Sequence, residues 1–158
     1  MTRNAPAIGK IIPDLRGDST VGVVRLRELR GHPLIVYFYP KDNTTGCTRE
    51  AQDFRSLMPR FARHGATILG VSRDSLASHA KFRDKQDLNF ALVSDTDETW
   101  CRAFDVIHEK TLYGRKFPGI VRSTFLIDAN GKLLREWRGV KVPGHAAAVL
   151  AELDAAPA

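Results

Sequence analysis

Apolar positions along the chain alternate between two kinds of spacing. Leu34–Tyr39 (L-I-V-Y-F-Y) is an unbroken β-branched and aromatic run, which predicts a strand covered on both faces. Thr67–Ser72 (T-I-L-G-V-S) and the shorter Phe90–Ser94 read the same way. Between them the period turns helical. Phe54, Leu57, Met58 and Phe61 share one face of a helix predicted from about Thr45 to about His64, stopped by Gly65 and kinked or shortened at Pro59. Ser75–Gln86 predicts a second helix with Leu76 and Phe82 inward, and Thr96–Phe104 a short third one that holds Cys101. Upstream, Leu15–Gly31 reads as a turn, a strand and a helical turn closed by glycine. Downstream, Val106–Gly119 is punctuated by Gly and Pro and reads as a loop over whatever site the fold builds. Thr124–Asp128 and Lys132–Arg138 are strands joined at Asn130-Gly131, a hairpin signal, and Pro143 opens an Ala-rich helix reaching Leu153.

Strands alternating with helices, then a hairpin and a last helix, predict an α/β fold with a mixed central β-sheet flanked by helices. At 158 residues the chain is expected to form a single domain, 1–158, with residues 1–12 as an N-terminal tail. Repeats, low-complexity tracts and linkers are not apparent.

Composition narrows the classes. The 43% hydrophobic and 27% charged residues describe an ordinary globular protein, and no apolar run approaches the ~20 residues of a membrane span. The opening M-T-R-N-A-P-A lacks the apolar stretch of a secretory signal, and two distant cysteines make no disulfide framework, so a cytoplasmic location is expected. The net charge of +6 raises nucleic-acid binding, but the arginines are scattered and form no basic tract, which favours solvated surface. The five histidines, His32, His64, His79, His108 and His145, lack metal-ligand spacing, and most are expected at the surface.

The chemistry concentrates in Pro40–Glu50 (P-K-D-N-T-T-G-C-T-R-E), between the first predicted central strand and its helix. Cys47 is therefore placed at a helix start, where amide N–H groups lack internal partners and the helix dipole favours negative charge. Such a setting favours the thiolate, the nucleophilic form.

P-x-x-x-T-x-x-C at Pro40, Thr44 and Cys47 resembles the peroxiredoxin motif, and the longer string Y-F-Y-P-K-D-N-T-x-G-C-T-x-E resembles the peroxiredoxin Q group, also called bacterioferritin comigratory protein. A second block, G-I-V-R-S-T-F-L-I-D at Gly119–Asp128, resembles that group's strand with the active-site arginine, here Arg122. The likeness runs from about Pro13 to about Leu153. It implies a thioredoxin-like fold and a thiol-dependent peroxidase that reduces hydrogen peroxide and organic hydroperoxides. It also implies roles: Cys47 as peroxidatic nucleophile passing through a sulfenic acid, Thr44 and the Cys47 amide touching the peroxide, Arg122 stabilising charge, and Pro40 shielding the thiolate. Glu50, one turn after Cys47, would hold a cation such as Arg122. Cofactors and metals are not expected. The electrons would come from thioredoxin, glutaredoxin or a low-molecular-weight thiol, and the chain would be a monomer, with a dimer as the alternative.

Ionisation alone explains little of such a rate. A thiol titrating near ~8.5 is about 3% ionised at pH 7 and one near ~6 about 90%, roughly 30-fold more. If the Brønsted slope of ~0.4–0.5 for thiol exchange applies, weaker basicity returns about 10-fold of that. Orientation and transition-state stabilisation must supply the rest.

The chain departs from the group's pattern in three places. Thr45 stands where proline is usual. Gln52 and the region of Arg83 stand where resolving cysteines occur. The remaining thiol, Cys101, reads as a buried structural residue, with a resolving role as the alternative. A one-cysteine mechanism is thus expected. The rivals are a two-cysteine peroxidase resolved by Cys101, a redox sensor or chaperone on the same fold, and a thiol–disulfide oxidoreductase. The last is disfavoured because the residue three after Cys47 is Glu50, not cysteine.

Overall fold

The structure, a computed structural model, describes residues 5–156. Its centre is a seven-stranded mixed sheet in the order β2-β1-β5-β4-β3-β8-β9. The three apolar runs become β3 (Leu34–Phe38), β4 (Thr67–Ser72) and β5 (Ala91–Ser94), paired parallel to one another. Parallel neighbours need crossovers, and α1 (Thr45–Arg63) and α2 (Leu76–Gln86) supply them. β8 (Ser123–Ile127) lies antiparallel on the other side of β3 and continues through Asn130-Gly131 into β9 (Leu133–Arg138). β1 (Arg16–Ser19) and β2 (Gly22–Arg25) close the far edge as a hairpin, followed by a 3-10 turn at Leu26–Leu29, so the region read as one strand holds two.

Both faces of β3 are covered, and its side chains alternate between two cores. Ile35, Tyr37 and Tyr39 face the layer of α1, α2 and α4 (His145–Ala155), which contributes Phe54, Phe61, Phe82 and Val149. Leu34, Val36 and Phe38 face the opposite layer, which contains Trp100, Cys101 and Phe104 around α3 (Thr99–Ala103). Within the region read as a tail, Gly9 and Ile12 donate backbone hydrogen bonds to Leu133 and Gly131, and the Ile12 side chain is buried in the second core.

Two local readings change. Of the two effects expected of Pro59, a kink or a shortening, shortening does not occur, and α1 runs through to Arg63. Proline's missing N–H would have bonded the Arg55 carbonyl four residues back. The Asn89 side-chain amide donates to that carbonyl instead, at 3.4 Å. The second change is the stretch Val106–Gly119, which is not a loop. It is a two-stranded antiparallel arm, β6 (Ile107–Leu112) and β7 (Arg115–Ile120). Its turn, Tyr113-Gly114, has both φ angles positive, at 51° and 75°, as a type I′ turn demands. Tyrosine in place of the usual Asn or Asp hid that turn, and Pro118 is tolerated because the arm has only edge strands.

Candidate active site

β3 ends at Phe38, and the chain turns through Pro40–Asn43 to enter α1 at Thr44. Thr44 has the extended backbone of an N-cap, but its hydroxyl does not cap the helix. It donates to the Lys41 carbonyl at 2.8 Å, tightening the loop. The first-turn amides of α1, that of Cys47 among them, are left to a ligand. Pro40 is half-buried behind the turn and Thr44 is exposed at its outer side.

Cys47 is 1% exposed, its sulfur directed inward. Arg122 arrives from the link between β7 and β8 and divides its guanidinium. Nη2 donates to Cys47 Sγ at 3.3 Å and Nη1 to Glu50 Oε1 at 2.7 Å. Burial works against the charge on Arg122, but Glu50 and Cys47 outweigh it and hold the guanidinium above its ordinary range. The approach is close. A Cβ on Gly46 would come within 3.2 Å of Arg122 Nη2, so glycine there keeps the lane open. Thus Cys47, Glu50 and Arg122 meet in direct contact, while Thr44 and Pro40 stand on the loop that leads to them.

Glu50 is as buried as Cys47, and burial raises its carboxyl to about 7 despite the pull of Arg122. Nearby, His145 accepts or donates a 2.7 Å hydrogen bond with Thr124 and lies edge-on to Phe54 and Trp137. Burial, then the charge of Arg122, pushes its imidazole down to about 4. On β6, the half-buried Lys110 is held below the usual lysine range by burial and by Arg122 and Arg73, with Cys47 opposing.

Sequence reasoning placed most histidines at the surface. Three are exposed, but His79 and His145 are buried. His79 donates from Nε2 to the Val93 carbonyl at 2.9 Å and shares a 2.7 Å hydrogen bond with Asp42 Oδ2 through Nδ1. Asp42, in the loop before Cys47, also accepts from the Tyr39 hydroxyl at 2.6 Å and from Ser78 at 2.9 Å. Its amide donates to Asp74 at 3.0 Å. This buried knot ties α2 to the loop that positions Cys47. A signal was available: His79 stands three residues from Phe82, on the inward face, whereas Leu76, predicted inward, is 42% exposed. Ligand atoms of Asp42, Asp74 and His79 lie within 4.8 Å of one another, the spacing of a metal trio, but their hydrogen bonds are already filled from the protein.

Cys101 is completely buried, on the other side of the sheet from Cys47. Burial first, then the neighbouring Asp95, raises its thiol far above the usual range. The Asp95 carboxylate caps its short helix, accepting from the amides of Trp100 at 3.0 Å and Cys101 at 2.8 Å. Both cysteines are free. Among the described residues no helix is long and apolar enough to cross a membrane.

The chain is similar to known proteins in sequence and in fold. Residues 8–135 match the AhpC/TSA family. Peroxiredoxin Bcp of Xanthomonas campestris is 58% identical over 130 residues, 82% of this chain and 81% of that one. Peroxiredoxin Bcp of Bacillus subtilis is 46% identical over 147 residues, 92% and 94% of the two chains. In structure, the X. campestris bacterioferritin comigratory protein, studied for its alkyl peroxide reduction, superposes with a TM-score of 0.88 at 51% identity, covering 94% of this chain and 98% of that one. The shared architecture is the thioredoxin-like fold. The chain belongs to the AhpC/TSA family, within its Bcp or peroxiredoxin Q branch, and is a thiol-dependent peroxidase.

Proposed function

We propose that this peroxidase works by a one-cysteine mechanism in which Cys47 is oxidised to a sulfenic acid and regenerated by an external thiol. The observation that carries the reading is the single guanidinium of Arg122 reaching both the Cys47 sulfur and the Glu50 carboxyl. The Cys47 thiolate attacks one oxygen of the hydroperoxide in line with the O–O bond. An S–O bond forms, the O–O bond breaks, and the alkoxide or hydroxide that leaves takes up a proton. Arg122 lies where charge moves from sulfur to oxygen, so it serves the transition state as well as the thiolate. The Cys47 amide donates to the peroxide. Because the Thr44 hydrogen is already committed to Lys41, its oxygen faces the peroxide as an acceptor. Pro40 covers the sulfur from water and brings no donor of its own. Glu50 orients Arg122.

The sulfenic acid is then attacked by thioredoxin, glutaredoxin or a low-molecular-weight thiol, releasing water and a mixed disulfide that a second thiol resolves. Cys101 takes no part, since a disulfide needs the two Cα atoms at roughly 4.4–6.8 Å and the sheet stands between the cores that hold them. Two free thiols kept apart suit a reducing compartment, the cytoplasm.

The test is steady-state peroxide consumption with thioredoxin, glutaredoxin and glutathione side by side, together with intact mass after one equivalent of peroxide. Cys47→Ser should lose turnover while keeping its fold. The wild type should gain one oxygen, trappable by a sulfenic-acid reagent, and advance to sulfinic acid with excess. A product lacking two hydrogens, whose peptides join Cys47 to Cys101, would overturn the one-cysteine mechanism. Undiminished turnover in Cys47→Ser would remove Cys47 altogether.

A further inference from the structure

Among the described residues two buried side-chain atoms lack a hydrogen-bond partner, the Tyr37 hydroxyl and Glu50 Oε2. Both residues are 1% exposed, and of the charges acting on the Tyr37 hydroxyl that of Glu50 is the largest. An ionised carboxylate with one oxygen unpaired is costly in such a place. A proton on Oε2 removes the cost. It leaves Oε1 as the acceptor for Arg122 and removes the charge from an Oε2 that no donor reaches.

The charges of the pocket point the same way. One guanidinium serves two acidic groups, Glu50 through Nη1 and Cys47 through Nη2. With both ionised, two buried anions share one partner. Asp53, a turn further along α1, adds to the repulsion at Glu50. From α4, His145 stays neutral down to about 4 and offers no compensating charge. From β6, Lys110 acts on Cys47 from the half-buried mouth, and Asp42 adds negative charge near Tyr37.

We propose that Glu50 is the proton-holding residue of the site: the proton that Cys47 gives up is taken by Glu50, so the pocket keeps one anion against Arg122 throughout the reaction. The inference rests on Cys47 being the nucleophile. In sequence, Cys47–SH and Glu50–COO⁻ become Cys47–S⁻ and Glu50–COOH. The thiolate attacks the peroxide, sulfur is oxidised by two electrons and the O–O bond reduced by two. The departing RO⁻ takes the Glu50 proton, giving ROH, Cys47–SOH and the original carboxylate. Burial that holds Glu50 near neutrality matches this exchange. Glu50 thereby does more than orient Arg122.

The experiment titrates the ultraviolet absorbance of the thiolate in wild type and Glu50→Gln, with Cys47→Ser as the blank. Glutamine keeps an acceptor for Arg122 and nearly the same shape but cannot be an anion. If Glu50 holds the proton, removing its charge moves Cys47 ionisation to lower pH, raising the thiolate-to-thiol ratio at mildly acid pH by about tenfold or more. If Glu50 only orients Arg122, the ionisation stays in place or moves to higher pH, and the proposal fails. Should Glu50→Gln not fold, infrared spectroscopy of Cys47→Ser decides, because coupling is reciprocal. Without a competing thiolate, the protonated-carboxyl band present in wild type should fade at lower pH than it does there. An unchanged midpoint overturns the proposal. Failure of the nucleophile assignment is separately visible, as a Cys47→Ser protein that still consumes peroxide.

Discussion

Arg122 gives one nitrogen to sulfur and one to carboxylate, and that division sets what its loss should do. In Arg122→Met the thiolate loses the cation hydrogen-bonded to it, so ionisation should require higher pH. The rate constant for peroxide should remain low even where the thiol is fully ionised, by about 10-fold or more, because a charge-assisted hydrogen bond contributes roughly 1.5–3 kcal/mol. Stopped-flow oxidation across the alkaline range measures this. Full recovery at high pH would confine Arg122 to ionisation and remove it from the transition state. At this scale the sequence was informative. Arg122 stands more than seventy positions from Cys47 and Glu50, yet the strand–loop–helix pattern and the second block were enough to bring the three together. Gly46 was silent, since nothing in a string of residues says that a guanidinium will pass within 3.2 Å of its missing side chain.

Between elements, the knot of Asp42 and His79 fastens α2 against the loop before α1. His79→Leu would leave Asp42 buried without its imidazole partner. Breaking a buried pair on one side costs about 3–5 kcal/mol, so urea should unfold the variant at a clearly lower midpoint. The loop from Pro40 to Thr44 would lose its anchor, and the peroxide rate should fall with it. A variant as stable and as fast as wild type would show the knot to be dispensable. Spacing from Phe82 hints that His79 turns inward, but its partners are ordinary alone, an aspartate in a turn or a tyrosine in a strand, so the network itself was not legible. The β6–β7 arm was hidden for a different reason: its strands bury little, so neither carries an alternation of apolar and polar positions. The donor that meets the carbonyl freed by Pro59 is Asn89, thirty positions further along the chain than the proline, where local rules cannot reach.

For the whole molecule, two buried titratable groups shape stability in opposite directions. Glu50 sits near 7 in the fold against an ordinary carboxyl value of about 4.3, so the folded state binds more protons between these values and stability falls as pH rises through them. His145 sits near 4 against an ordinary value of about 6.5, so the unfolded chain binds more protons there and stability falls as pH drops from about 6.5 toward 4. Melting temperatures of Glu50→Gln and wild type should therefore diverge above neutral pH, with the variant higher, and converge in acid. A constant gap at all pH values would mean that the carboxyl's charge is not what separates them. The layered architecture itself was legible from the apolar runs, while the assignment of each cysteine to its own face of the sheet had to await the pairing of β3 with its neighbours. That separation governs how the protein ages. If Cys47 is the sulfur that over-oxidises, the damage falls beside Arg122, across the sheet from the aromatic packing around Cys101, and a spent molecule would be expected to stay folded. Wear would then be uncoupled from unfolding, and quality control that recognises exposed apolar core would pass such a molecule by.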